Sequence, residues 1–172
     1  DTMDKDDLLL EIKTVQVSAY RTLIEALKEI LTDANFEFDP TGIKLMAMDT
    51  SHTVLVHLKL LGEKFEYYYC PERIVLGINM INYFKLIKTM SNSDTLTLYV
   101  KKSYPNILGI KIENSEKNQV TVYNLNLMDL HQDTIEIPPA KFDSVITLPS
   151  VEFQKITREM HNLSDRIEIK SV

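Results

Sequence analysis

One apolar pattern occurs twice in this chain, and it restricts the fold more than any other feature. Tyr20, Leu23 and Leu27 are matched by Phe153, Ile156 and Met160 at an offset of 133 residues, with the spacing unchanged. That spacing puts each trio on one stripe of a helix lying against a core. An alternating stretch precedes the first trio (Leu8 to Val17), another precedes the second (Ile146-Thr147-Leu148), and Ile167 and Ile169 follow it. A repeated strand-helix-strand unit predicts two similar modules. The second stops at Val172 after a single unit, too little to bury its own core. Residues are therefore expected to be missing or supplied elsewhere, and the start at Asp1 rather than Met also suggests a trimmed chain.

Between the copies the pattern is mixed. Helical spacing spans Tyr20 to Leu31 and Asn79 to Met90, while alternation at Phe36 and Phe38, Ile43 and Leu45, Val54 to Leu60, Phe65 to Cys70, Thr95 to Val100, Leu108 to Ile112 and Gln119 to Leu127 predicts strands. Pro40-Thr41-Gly42, KKSYPN and NSEKN mark turns. After Leu127, MDLHQDTIEIPPAKF fits neither period, and Pro138-Pro139 removes backbone donors, so an extended connector is expected. The boundaries are a first domain at 1–127, a connector at 128–141 and an incomplete second domain at 142–172. The class is α+β, with helices on one face of antiparallel sheets.

Composition removes several functions. Cys70 is the only cysteine, which excludes a disulfide framework and a cysteine zinc site and makes an intracellular setting the default. No run has the length of a membrane span. His57 and His161 stand alone, His131 between Asp129 and Asp133 reads as a solvated cluster, and the four glycines form no phosphate loop, so no metal or cofactor is expected. A net charge of −6 argues against a wholly basic nucleic-acid binder, though not against a local basic face. The heptapeptide MAMDTSH places Asp49, Ser51 and His52 close together, the side-chain types of a hydrolytic triad. Triads are defined by convergence in space. Neighbours packed into one turn hardly converge as nucleophile, base and orienter, so the segment reads as a turn whose side chains bond the local backbone, and no catalytic residue is assigned.

Several blocks resemble the proliferating cell nuclear antigen family of eukaryotic sliding clamps. They are LIEALK at 23–28, GIKLMAMDTSH at 42–52 with Leu55-Val56, LMDL at 127–130, IEIP at 135–138, and Pro149-Ser150 with Glu152-Phe153. The resemblance runs in order from about Leu10 to Ile169 and implies a DNA-clamp fold, with three chains closing head to tail around duplex DNA and no enzymatic activity. The helices would line the channel, so Arg21, Lys28, Lys85, Lys88, Lys155 and Arg158, all off the apolar stripes, would face phosphates. Without the family these are a solvated helix face. Strand Gln119 to Leu127, with Val122 and Tyr123, would pair with a neighbouring chain, its partner strand falling beyond Val172. Met48, His52, Leu55, Leu130, Ile135, Ile137 and Pro138 would wall a pocket under the connector for short peptides of DNA polymerase, flap endonuclease, DNA ligase and clamp-loader partners. By pattern alone, Met48 and Leu55 read as core. The resemblance places the protein in the nucleus or at a viral replication site. The rival classes are a monomeric clamp-like adaptor and a Ser/His hydrolase.

Overall fold

A computed structural model describes residues 5–131, 135 and 141–170. Two compact units are present, 1–135 and 136–172.

Among the described residues of the first unit, alternation produces nine strands: β1 (Leu8–Thr14), β2 (Asp33–Asp39), β3 (Gly42–Met48), β4 (Leu55–Leu61), β5 (Tyr67–Tyr69), β6 (Ile74–Asn79), β7 (Thr95–Lys101), β8 (Tyr104–Asn114) and β9 (Gln119–Asn126). They form two antiparallel sheets, ordered β5-β1-β7-β8-β9 and β4-β3-β2-β6. The inward residues of both, including Leu10, Ile12, Phe36, Phe38, Ile43, Leu45, Leu98 and Ile110, belong to one core. Helices α1 (Val17–Ile30) and α2 (Met80–Ile87) add Val17, Tyr20, Ile24 and Leu27, and Met80, Tyr83 and Ile87, to that core.

The boundaries differ from the sequence expectation for identifiable reasons. The first strand ends at Thr14 and the helix starts at Val17, because Val17 extends the buried stripe one turn earlier. Leu31 is extended and caps α1. Asn79 is not within α2 but is its N-cap, its side chain accepting from the Asn82 amide at 3.0 Å. Phe65 closes a 3-10 turn, so the strand expected from Phe65 shortens to Tyr67–Tyr69.

The helices meet through a buried pair of hydroxyls: Tyr20 Oη and Tyr83 Oη lie 2.7 Å apart. Burial pushes the Tyr20 hydroxyl up to about 12, and Tyr83 well above its usual value, so both stay protonated near neutrality.

The second unit holds α3 (Ser150–His161), none of whose residues is buried, with Phe153, Ile156 and Met160 exposed. The stretches at 146–148 and 167–169, expected as strands, carry no strand structure. A strand is held by its neighbour's backbone, and no described segment pairs with either.

Tyr83→Phe strands the Tyr20 hydroxyl in the core and should cost about 1–3 kcal/mol. Adding Tyr20→Phe removes the orphan and should recover much of that loss. Urea denaturation of wild type, single and double variants reads this directly, and a double variant less stable than Tyr83→Phe would contradict it.

Candidate functional site

The outer face of the four-stranded sheet carries the residues expected to wall a peptide pocket. Alternation puts Met46 and Met48 of β3 on that face, and Leu55 and His57 of β4 lie directly opposite them. Met48 and Leu55 are 40% and 39% exposed, so they are surface rather than core. The chain after β9 crosses the same face: the Met128 amide donates to the Gly77 carbonyl at 2.8 Å, and Asn35 Nδ2 donates to the Leu130 carbonyl at 3.0 Å. Gly77 makes the crossing possible, since a Cβ there would lie 2.1 Å from the Met128 oxygen. Met48, Leu55 and Leu130 are thus brought to one face, and Ile135 is half-buried. Ile137 and Pro138 lie outside the described residues. Met46 and His57 were missed by sequence reasoning, although their period-two spacing from Met48 and Leu55 was available to find them.

The MAMDTSH segment is a turn joining β3 to β4. Asp49 accepts from the Thr53 and Val54 amides, both at 2.8 Å, from the Ser51 amide at 3.2 Å, and from the Ser51 hydroxyl. These bonds, led by the Ser51 hydroxyl, hold its carboxyl well below the usual carboxylate range. His52 has φ +55° and an exposed side chain that makes no hydrogen bond among the described residues. Ser51 is therefore a donor to the aspartate, not a nucleophile paired with a histidine. The chemistry on offer here is a rigid turn that sets Met48 and Leu55 side by side.

The cations separate by environment. Lys85 and Lys88, on and just beyond α2, are exposed and make no ion pair among the described residues. Arg21 is engaged within the fold. Its guanidinium donates to the Met90 carbonyl and, at 3.1 Å, to Asn92 Oδ1, tying α1 to the end of α2. Lys28 pairs with Glu29 and sits 4.9 Å from the Phe84 ring centroid. On α3, Lys155 lies 3.9 Å from Glu159 and Arg158 is exposed.

Among the described residues, strand β9 is an outer edge of the five-stranded sheet, bonded only to β8. Val122 points outward at 51% exposure, whereas Tyr123 faces inward and packs partly against its own core.

Comparison with known proteins gives consistent matches. The family model described as proliferating cell nuclear antigen, N-terminal domain, matches residues 9–136, and the corresponding C-terminal domain model matches 136–172. A protein named "Probable DNA polymerase sliding clamp 1" from Paramecium bursaria Chlorella virus 1 is 38% identical over 167 residues, covering 97% of this chain and 64% of the relative. A proliferating cell nuclear antigen from Chaetomium thermophilum is 35% identical over 163 residues, covering 95% and 62%. The chain thus spans less than two thirds of these relatives' length. The crystal structure of the Entamoeba histolytica proliferating cellular nuclear antigen superposes with a TM-score of 0.86 at 32% identity, covering 92% of this chain and 63% of that one.

Gly77→Ala should force the segment from Met128 to Leu130 off β6, since its clash is with backbone rather than a movable side chain. Limited chymotryptic digestion should then cut beside Leu130 several-fold faster while the circular dichroism of the sheets is kept. An unchanged cutting rate would show that Gly77 does not secure the crossing.

Proposed function

The chain belongs to the proliferating cell nuclear antigen family, and on that footing we propose that it works as a DNA sliding clamp and polymerase processivity factor. In this reading, three copies of the complete chain close head to tail around duplex DNA. The ring acts where DNA is replicated, in a nucleus or at a viral replication site, and it recruits partners without catalysing a reaction.

The observation that supports the DNA role most directly is the exposed Lys85 and Lys88 pair, on a helix without an acidic residue in a chain of net charge −6. Lysines at the end of a helix meet phosphates as point charges and read no bases, which suits a protein that must slide. Arg21 and Lys28 are partly occupied within the fold, so their share is smaller. Lys155 and Arg158 would add a second cationic helix, partly offset by Glu152 and Glu159. The loose, salt-sensitive grip of a few lysines leaves retention to ring closure, for which the open β9 edge, with Val122 and Tyr123, offers one half of a backbone ladder.

Recruitment falls to the outer face of the four-stranded sheet. In this reading Met48, His52 and Leu55 border it, Leu130 crosses it, and a peptide turn carrying aromatic anchors docks there; Ile135, Ile137 and Pro138 are assigned to its wall by the family resemblance alone. Polymerase, flap endonuclease, ligase and clamp-loader partners are the classes of ligand this reading assigns. Flexible thioethers such as Met46 and Met48 suit a surface that repacks around different peptides. The hydrolase alternative loses support because Ser51 is bonded to Asp49 while the His52 imidazole has no partner among the described residues.

Titrating labelled duplex DNA at several salt concentrations tests the channel assignment. Lys85→Ala with Lys88→Ala should lower the slope of log affinity against log salt by about 2. An unchanged slope would move the DNA surface elsewhere. For the pocket, Ile135→Asp should abolish binding of a peptide with aromatic anchors while the melting curve is retained. Unchanged peptide affinity would count against this pocket.

A further inference from the structure

The outer face of the five-stranded sheet, opposite the helices, carries an arrangement that, apart from Val122 at its β9 border, neither the proposed ring closure nor peptide docking uses. Register aligns Tyr69, Glu11, Tyr99, Gly109 and Asn124 in one row across it, with Tyr67, Lys13, Thr97, Lys111 and Val122 in the next. Tyr99 does not stand upright. A Cβ on Gly109 would meet its Cζ at 2.2 Å and its Cε2 at 2.4 Å, so the phenol ring lies across the backbone of β8, over the one residue without a side chain. Beside it opens a cleft of about 340 Å³ bordered by Tyr99, Lys101, Tyr104, Val122 and Asn124, with no acidic residue in its lining. Tyr104, at the start of β8, is 64% exposed. The Lys101 ammonium lies 6.0 Å from the Tyr99 ring centroid.

A flat ring, a second exposed ring, an amide and a lysine bordering one cleft form a stacking shelf. Aromatic platforms bind unpaired bases whatever their identity, because every base offers a π-face, while neighbouring cations meet the phosphates. A duplex cannot use such a shelf, since its bases are already stacked on one another. We propose that this face binds a single-stranded nucleic acid, with bases on Tyr99 and Tyr104, the Asn124 amide at a base edge, and phosphates near Lys101. Lys13 and Lys101 make no ion pair among the described residues, whereas Lys111 is matched by Glu113 at 2.8 Å. Glu11, directly opposite Tyr99, and Lys13, two residues on, both lie on β1 across β7 from the cleft, so their charges offset one another and the phosphate contact falls to Lys101. The proposal is independent of the ring reading: the helices would hold a duplex, and the opposite side of the first unit a single strand.

Fluorescence anisotropy with labelled oligothymidine and oligouridine of about 15 nucleotides tests it on the 172-residue chain at about 50 mM salt. Wild type should bind, and Tyr99→Ala and Tyr104→Ala should each weaken binding roughly 5- to 150-fold. Tyr99→Phe should retain it. Lys101→Ala should flatten the salt dependence, and Glu11→Gln should tighten binding. Tyr104 lies outside the core, so Tyr104→Ala remains a folded test if Tyr99→Ala is damaged. Binding of both oligonucleotides supports recognition of base and phosphate alone; binding of only one supports the shelf and assigns it to DNA or to RNA. No binding by wild type, unchanged affinity in Tyr104→Ala, or binding lost only with Lys85→Ala and Lys88→Ala would overturn the proposal.

Discussion

The first unit depends on the contact of two helices with the inner faces of two sheets. Neither sheet could bury its apolar side alone, and α1 and α2 supply one shared cover, joined by the Tyr20 and Tyr83 hydroxyls in its interior. This direction of burial decides what each surface can do. Because the apolar stripes of both helices point to the core, Lys85 and Lys88 are turned outward. Because the sheets give one side to the core, alternation leaves their other sides free for sites.

Both outer sides depend on a missing side chain. Gly77 lets the chain after β9 lie flat on β6, and Gly109 lets a tyrosine ring lie flat on β8. At each place the backbone is approached so closely that even a methyl group would intrude. The two positions differ in tolerance. The neighbour at Gly77 is the backbone carbonyl of Met128, whose own amide is bonded to the Gly77 carbonyl, whereas at Gly109 it is the far end of a side chain that can swing away.

Much of this was legible in the sequence where a residue's role depends on near neighbours. The apolar stripe of α1, the alternation of β2, β3 and β7, and the turn character of MAMDTSH all rest on residues a few positions apart. Long-range roles were not legible. Arg21 looks like any cation beside an apolar stripe, and only the fold brings Met90 and Asn92 to its guanidinium. Gly77 carries no local sign that residue 128 will cross it, and Tyr123 reads equally well as an interface residue or as one facing its own core. Val17 reads as the end of a strand because its place on the helical stripe shows only once the burial of Tyr20 and Ile24 is known. In the candidate pocket, the block from Met46 to Leu55 was readable as one surface element, while its juxtaposition with Leu130 required the sheet order.

The open edge at β9 has a further consequence. A ladder of amides and carbonyls discriminates poorly between partners, because the main chain is the same in every protein. Val120 and Val122 are both more than half exposed, and their alternation suits any extended segment that arrives. Under the proposed ring closure, fidelity at this edge would come from shape and charge at its ends. An uncovered edge of this kind is a template for aggregation, so ring closure, as proposed, would also protect solubility.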